Sequence, residues 1–323
     1  MSPLISVITC THNPRGDYLE RVLSALKAQT LDREQWEYIV VDNASAEAVE
    51  KSLSLSWHPS ARCVREERLG LTHARLRGIR ESAGDLLIFV DDDNVLDCDY
   101  LGVAQRISRE WGILGAWGGQ VRPMFDEPPP EWTKPYWSRL VIREFDEDRW
   151  SNLPMQHETM PSGAGLCVRR SVALFYAGLH ERGRRRIILD RAGASTVSGG
   201  DTDLASCAID LGLGLGLFAA LKLGHLIPPS RLQEDYLVRL VEGLAYSEVI
   251  LRSFREGGEA SPRRGWTSRA ADLLRMARMG RRQRRFHSAV TEGQSKARRE
   301  LVALDAGRQS GPDVREELTL KSS

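Results

Sequence analysis

The sequence predicts an α/β fold: a mixed, mostly parallel sheet flanked by helices, with a helical extension at its carboxyl end. Three observations carry this. In the first hundred residues, apolar runs of strand length alternate with stretches of helical period, the signature of a doubly wound sheet. Two of those runs end in aspartate, at Asp42 and Asp91. One of them, Leu86-Leu87-Ile88-Phe89-Val90, runs straight into Asp91-Asp92-Asp93-Asn94. A short apolar run bounded by turn formers reads as a strand buried on both faces. Open α/β sheets bind ligands at the carboxyl ends of their strands, so the three acids point at the ligand edge.

In chain order, Ile5 to Thr9 is a β-branched first strand, broken by Cys10-Thr11-His12-Asn13-Pro14. Tyr18, Leu19, Val22, Leu23 and Leu26 recur at helical spacing and predict a helix from Asp17 to about Thr30. Tyr38 to Val41 is a second buried strand, ending at Asp42-Asn43-Ala44-Ser45 and followed by a polar, helix-prone segment. Arg62 to Arg65 is a short strand, and Gly70 to Ser82 a helix with Leu71, Ala74 and Ile79 inward. A strand is expected around Gly118 to Val121. The prolines and aromatics from Pro123 to Trp150 then predict a long loop region, whose rings either stack on a sugar or pack the loops onto the core. Gly163-Ala164-Gly165 turns tightly into a strand at Leu166 to Arg170; glycines there permit close approach to a ligand, or merely a bend. Ser198 to Leu204 is a second glycine turn, opening a helix through Ala205, Ala208 and Ile209. Leu211 to Ile227 is short of the ~20 residues of a membrane span and carries Lys222 and His225, so it reads as a helix end and one or two short strands. A helix from about Gln233 to Glu256 follows.

The bulk numbers narrow the class. The chain has 323 residues, 41% hydrophobic and 28% charged, with net charge +1, which gives no argument for nucleic acid as a partner. Five scattered cysteines without a CxxC pair speak against a zinc site or a disulfide framework and fit a reducing cytoplasm. The first residues lack the pattern of a signal peptide. Between 263 and 299, eleven arginines and Lys296 face only Asp272 and Glu292, with Trp266, Leu273, Leu274 and Ala277 among them. That stretch reads either as an amphipathic helix lying on an anionic membrane at the inner face, or as a solvated helix packed on the body.

Adjacent carboxylates repel unless a cation sits among them. A hard divalent ion, Mg²⁺ or Mn²⁺, suits oxygen ligands; the bland alternative for Asp91 to Asp93 is a solvated acidic turn. Together with the polar turns and the glycine loops, the residues point to a metal-assisted phosphate or nucleotide enzyme.

A resemblance sharpens this. Val7-Ile8-Thr9-Cys10-Thr11-His12-Asn13, Val40-Val41-Asp42-Asn43-Ala44-Ser45, Leu71-Thr72-His73-Ala74-Arg75, Phe89-Val90-Asp91-Asp92-Asp93 and Gly199-Gly200-Asp201-Thr202-Asp203-Leu204 resemble, in order, the motifs of family 2 glycosyltransferases of the GT-A (Rossmann-like) fold. The resemblance covers roughly residues 4–255. It implies an inverting, metal-dependent transfer of one sugar from a nucleoside-diphosphate sugar, UDP-type favoured, to a hydroxyl of a glycan or lipid-linked acceptor in polysaccharide or glycoconjugate biosynthesis. It places Thr11, His12, Asn13, Asp42, Arg75, Asp91 and Asp92 at the nucleotide. Asp93, with Asp91 and His225, would hold Mg²⁺ or Mn²⁺. Gly163, Ala164 and Gly165 would approach the donor sugar or acceptor, and Asp201 would be the base. The family's usual Glu before that base is Gly200 here, and Asp203 stands two residues on as an alternative base. The QxxRW element of processive synthases is absent, which favours single-sugar transfer.

The resulting division is 1–115 for the nucleotide-sugar half, 116–230 for the acceptor and catalytic half, 231–256 for a closing helix and 257–323 for a basic extension. Two other functions fit parts of the pattern. Asp91-Asp92-Asp93-Asn94-Val95 also matches the nucleophile motif of haloacid-dehalogenase-like phosphatases, and Gly200 would suit a nucleotide-sugar-binding module that has lost catalysis.

Overall fold

A computed structural model describes residues 4–154, 156–185, 187–190, 197–255 and 279–309. The chain forms two compact units, 1–240 and 241–323. The two halves expected at 1–115 and 116–230 lie together in the first unit and share one sheet.

Strands β1 (Ile5–Thr11), β2 (Trp36–Asn43), β3 (Ala61–Glu66) and β4 (Leu86–Phe89) pair in parallel in the order β3-β2-β1-β4. Every residue of β1, β2 and β4 is buried, as a strand covered on both faces requires. Successive side chains alternate between two cores. Ile5, Val7, Tyr38, Val40 and Ile88 pack on one face with helix α1 (Gly16–Lys27), which buries the five residues its period predicts. Ile8, Ile39, Val41, Leu87 and Phe89 pack on the other with helix α2 (Leu71–Glu81) through Ala74 and Ile79.

The sheet continues through β5 (Asn94–Leu96), β6 (Leu114–Phe125), β7 (Arg149–Ser151), β8 (Leu166–Arg169) and β9 (Gly214–Ile227). Strand β8 inserts between β4 and β6, antiparallel to both, while β6 and β9 are parallel and β5 and β7 flank β9 antiparallel. Helices α3 (Tyr100–Glu110), α4 (Arg170–Glu181) and α5 (Gly200–Asp210) complete the first unit, with the start of α6 (Glu234–Ser253).

Some elements differ from expectation. The segment after Ser45 forms only a 3₁₀ turn at Val49–Lys51. Asp42 binds the backbone amides of Ser45 and Val49, and such side-chain bonds compete with a helix. The strand around Gly118 is three times its expected length, and Leu211 to Ile227 contributes one 14-residue strand. An irregularity between β6 and β9, where Gly119 faces Phe218 and Gln120 faces Lys222, explains why no simple alternation announced it. Strand β5 was not anticipated. In the proline and aromatic region, Glu131–Leu140 is a 3₁₀ stretch, and Phe125 packs on Trp137 with ring centroids 5.1 Å apart. Those two rings pack the loop, the second of the two roles foreseen.

In the second unit, the later part of α6 and helix α7 (Arg281–Gln309) approach closely at Gly293, where a Cβ would meet the Glu242 carbonyl and lie 3.1 Å from the Tyr246 nitrogen. The Tyr246 hydroxyl donates to Glu300 at 2.7 Å. Of the basic stretch, 263–278 lies outside the described residues; Arg281, Arg282, Arg284 and Arg285 on α7 are exposed. Among the described residues no helix is long and apolar enough to cross a membrane.

Candidate functional site

The register of the parallel strands sets Thr11 beside Asp42 and Ile8 beside Phe89, so the turns after β1, β2 and β4 meet at one edge. Because β8 runs antiparallel, its entry loop reaches that same edge. Gly165 has φ +68°, a conformation that favours glycine, and its carbonyl accepts the Tyr100 hydroxyl at 2.6 Å. There a cleft of about 270 Å³ opens, lined among others by Thr11, His12, Asn43, Arg75, Asp91, Asp92, Asp93, Gly163, Ala164, Asp190, Asp201, His225 and Arg231.

One end of the cleft gathers His225, Asp93 and Arg231. His225 Nδ1–H donates to the Leu140 carbonyl at 3.1 Å, so Nε2 carries the lone pair, which accepts from Arg231. That nitrogen lies 3.5 Å from Asp93 Oδ2. The Arg231 guanidinium touches both, Nη2 at 2.9 Å from Asp93 Oδ2 and Nη1 at 3.0 Å from His225 Nε2. Burial works against the charge on Arg231, but Asp93 outweighs it and keeps the guanidinium firmly protonated. Burial, and then the neighbouring Asp93 charge, raise Asp91 above its ordinary value and push Asp92 up to about 7, although Thr11 donates a short hydrogen bond to Asp92. An oxygen and an imidazole with a fixed tautomer fit Mg²⁺ or Mn²⁺. Among the described residues no group of three or more His, Cys, Asp and Glu side chains is arranged to hold a metal alone. Asp93 Oδ2 and His225 Nε2 are the two protein donors such an ion would use, and in this structure Arg231 bonds to both.

Asp201, in the first turn of α5, lines the cleft as well. Its Oδ2 accepts the Gly163 amide at 2.6 Å and its Oδ1 accepts the Thr202 amide at 2.8 Å. Asp203, the other candidate base, is 2% exposed, pairs with Arg185 at 2.7 Å and does not line the cleft. Geometry separates the two acids that spacing left open. Arg75, also buried, carries Asp190 on Nη1 at 3.0 Å; burial opposes its charge, but Asp190, Asp201 and Asp91 hold it protonated.

The residues expected at the nucleotide divide. Thr11 and His12 face the cleft. His12 Nδ1–H donates to the Asn43 carbonyl at 2.7 Å, so Nε2 accepts the Asn13 amide at 2.9 Å. Asn13, which is exposed, and Asp42, which is buried, are not part of the lining. The Asn13 side-chain Oδ1 accepts the Ala46 amide. Asp42, 2% exposed, accepts the amides of Ser45 and Val49 and pairs with Arg65 at 2.8 Å. Its surroundings make it a brace for the turn that presents Asn43. Cys10 lines the cleft too, but burial pushes its thiol up to about 12, which leaves it inert as a nucleophile.

Two lining residues had no role in the sequence reading. Arg231 follows Pro228-Pro229-Ser230 at the end of the His225 strand, a position that could have suggested it. Asp190 lies in an arginine-rich segment without period or motif, and only the fold brings it to Thr72 and Arg75, more than a hundred residues away.

Comparison with known proteins identifies the family and the fold. Residues 6–166 match the family described as Glycosyl transferase family 2. The glycosyltransferase AglE of Haloferax volcanii is 30% identical over 94 residues, which is 28% of this chain and 31% of AglE. Polypeptide N-acetylgalactosaminyltransferase 8 of Drosophila melanogaster is 33% identical over 93 residues, 28% of this chain and 16% of that protein. These matches span less than a third of either relative. Among solved structures, S. aureus TarS 1–349 superposes with a TM-score of 0.51 at 14% identity, covering 95% of this chain and 92% of that one. The mannosyltransferase PcManGT from Pyrobaculum calidifontis does so with a TM-score of 0.55 at 15% identity, covering 92% and 87%. Those likenesses establish the fold. With the acid cluster, the glycine loop and Asp201 converging on one cleft, the chain belongs to glycosyltransferase family 2 and has the GT-A fold.

Proposed function

We propose that the protein is an inverting glycosyltransferase that moves one sugar from a nucleoside-diphosphate sugar to an acceptor hydroxyl. The observation that carries this is the pairing of a cation subsite, Asp93 with His225 and Arg231, and a cleft-facing carboxylate, Asp201, in one cavity. Thr11 and His12 border the nucleotide, and Asp91 and Asp92 lie towards its ribose and phosphates. Arg231 offers a guanidinium to the diphosphate. A Mg²⁺ or Mn²⁺ held by Asp93 and His225 would neutralise charge developing on the leaving diphosphate. Asp201 takes the proton of the acceptor hydroxyl as it attacks the anomeric carbon from the face opposite the leaving group. Gly163 and Thr202 hold that carboxylate in place through their amides, and Arg75 lies beside it. One base on one side and one leaving group on the other give inversion.

A UDP-type donor is favoured. The fold relatives include TarS in complex with UDP-GlcNAc, at a TM-score of 0.50, and PcManGT in complex with GDP-Man and Mn²⁺, so both nucleotide classes belong in the test. The acceptor is a hydroxyl of a glycan or lipid-linked glycan, met in the cytoplasm; the exposed arginines at the start of α7 support contact with an anionic membrane surface. Incubation with UDP- and GDP-sugars and Mn²⁺, followed by proton NMR of the first sugar product, tests the reading. Release of the nucleoside diphosphate with inverted anomeric configuration is expected. Retention, or no turnover of any donor, would overturn it.

A further inference from the structure

The helix that carries Asp201 begins with Gly200, and the space beside that glycine is filled from elsewhere. A Cβ at Gly200 would collide with Asp190 Oδ2 and lie 2.8 Å from its Cγ. Asp190 is 5% exposed. Its Oδ2 accepts the Thr72 hydroxyl at 2.8 Å and Arg75 Nη1 at 3.0 Å, and its Oδ1 receives Nη1 again at 3.3 Å. The Gly200 amide donates to the Leu189 carbonyl at 2.8 Å, which ties the residue before Asp190 to the start of α5. On its other side Arg75 shares the Gly163 loop with the base: a Cβ at Gly163 would lie 3.1 Å from Arg75 Nη2 and 3.0 Å from Asp201 Oδ2. Asp190 and Arg75 are thus a buried pair next to Gly163, beyond which Asp201 opens to the cleft.

The buried Arg75 guanidinium is bonded to Asp190 and has the Asp201 carboxylate as a further negative charge nearby. With Asp190 removed, the Arg75 charge would be drawn onto Asp201, pulling the carboxylate from the Gly163 amide and weakening it as a base. We infer that Asp190 is a positioning residue, whose carboxylate takes the place of an acidic side chain on residue 200 and anchors Arg75 so that Asp201 stays free to face the cleft. The inference rests on the reading of Asp201 as the base.

The test exchanges the acid between the two positions. Full-length wild type, Asp190→Ala, Gly200→Glu and the double variant are compared for release of UDP from UDP-GlcNAc and of GDP from GDP-mannose with Mn²⁺, and for melting temperature. Asp190→Ala is expected to lower kcat about 10- to 100-fold with donor KM within about two-fold, since misplacement acts on the chemical step. Gly200→Glu alone clashes with Asp190 and should be the least stable. The double variant should recover kcat to within about five-fold of wild type, together with the melting temperature that Asp190→Ala loses. Gly200→Asp, one methylene shorter, repeats the exchange, and Asp190→Asn serves if Asp190→Ala does not fold. Wild-type kcat in a folded Asp190 variant would overturn the inference, as would folded double variants no better than Asp190→Ala. If the wild type releases neither UDP nor GDP, the transferase reading falls instead. The melting temperatures of the same proteins then still decide whether an acid at 200 replaces Asp190.

Discussion

Two strands, β2 and β4, each lead to an aspartate at the carboxyl edge of the sheet, and the two look alike in sequence. Their environments are opposite. Asp42 has two backbone amides and Arg65 around it. Burial works against its charge, but the Ser45 hydroxyl, the Ser45 and Val49 amides and Arg65 outweigh burial and hold its carboxyl below the usual range. Asp91 and Asp92 are half-buried beside Asp93, and loss of solvent and then the Asp93 charge raise both. An acid whose bonds are complete organises the fold, whereas one left short of positive charge is disposed to bind a cation or the protons of a ligand. Within α5 a different contrast, one of exposure, separates Asp203, paired with Arg185, from Asp201, which faces the cleft.

The sharpest way to break the contrast is within α5. Asp201→Asn should lower kcat by ~10³-fold, within the range of general-base catalysis, while leaving donor binding within a few-fold. Asp203→Asn should instead leave Arg185 buried without its charge partner and cost about 3 kcal/mol of stability, read by denaturant unfolding, with the folded fraction still active. A catalytic collapse in folded Asp203→Asn would reassign the base.

A second comparison concerns Asp42. Asp42→Ala removes the brace of its turn and should cost about 2 kcal/mol, since two buried amides and Arg65 lose their acceptor. Its effect on donor affinity should be smaller than that of Asp93→Ala, measured by calorimetry with UDP and Mn²⁺.

The smallest effect is one of sign with pH. Asp42 has a folded-state value below its unfolded one, so its contribution is present at neutral pH and is lost as pH falls through the folded value. Asp92 has the reverse: raised to about 7 in the fold, it costs nothing well below its ordinary value of 3.8 and costs progressively more as pH rises to about 7. Asp92→Asn should therefore stabilise the metal-free protein by about 1–2 kcal/mol at pH 8 and change little at pH 4. Melting curves across that range check it; equal shifts at both ends would contradict the reading.

Much of this was legible in the sequence because it is local. The apolar runs of β1, β2 and β4, the period of α1 and the acids after Val90 each lie within a dozen residues. The roles of similar acids were not legible. Asp42 and Asp91 differ only in which amides and cations the fold delivers, and Asp201 and Asp203 differ by their rotation about α5. Arg231 and Asp190 act through partners distant in sequence, as does β8, whose insertion between β4 and β6 makes the sheet mixed. Strand β5 and the full length of β9 were hidden because glycines and an irregular register blur the alternation of the chain there.

The central claim is that the undercompensated acids after β4, with His225, form the cation half of a nucleotide-sugar site. Thermal shift with UDP- and GDP-sugars, with and without Mn²⁺, tests it most directly. Stabilisation by one nucleotide class that needs Mn²⁺ and disappears in folded Asp93→Ala is the expected result. Equal stabilisation of wild type and Asp93→Ala, or none by any nucleotide, would contradict it.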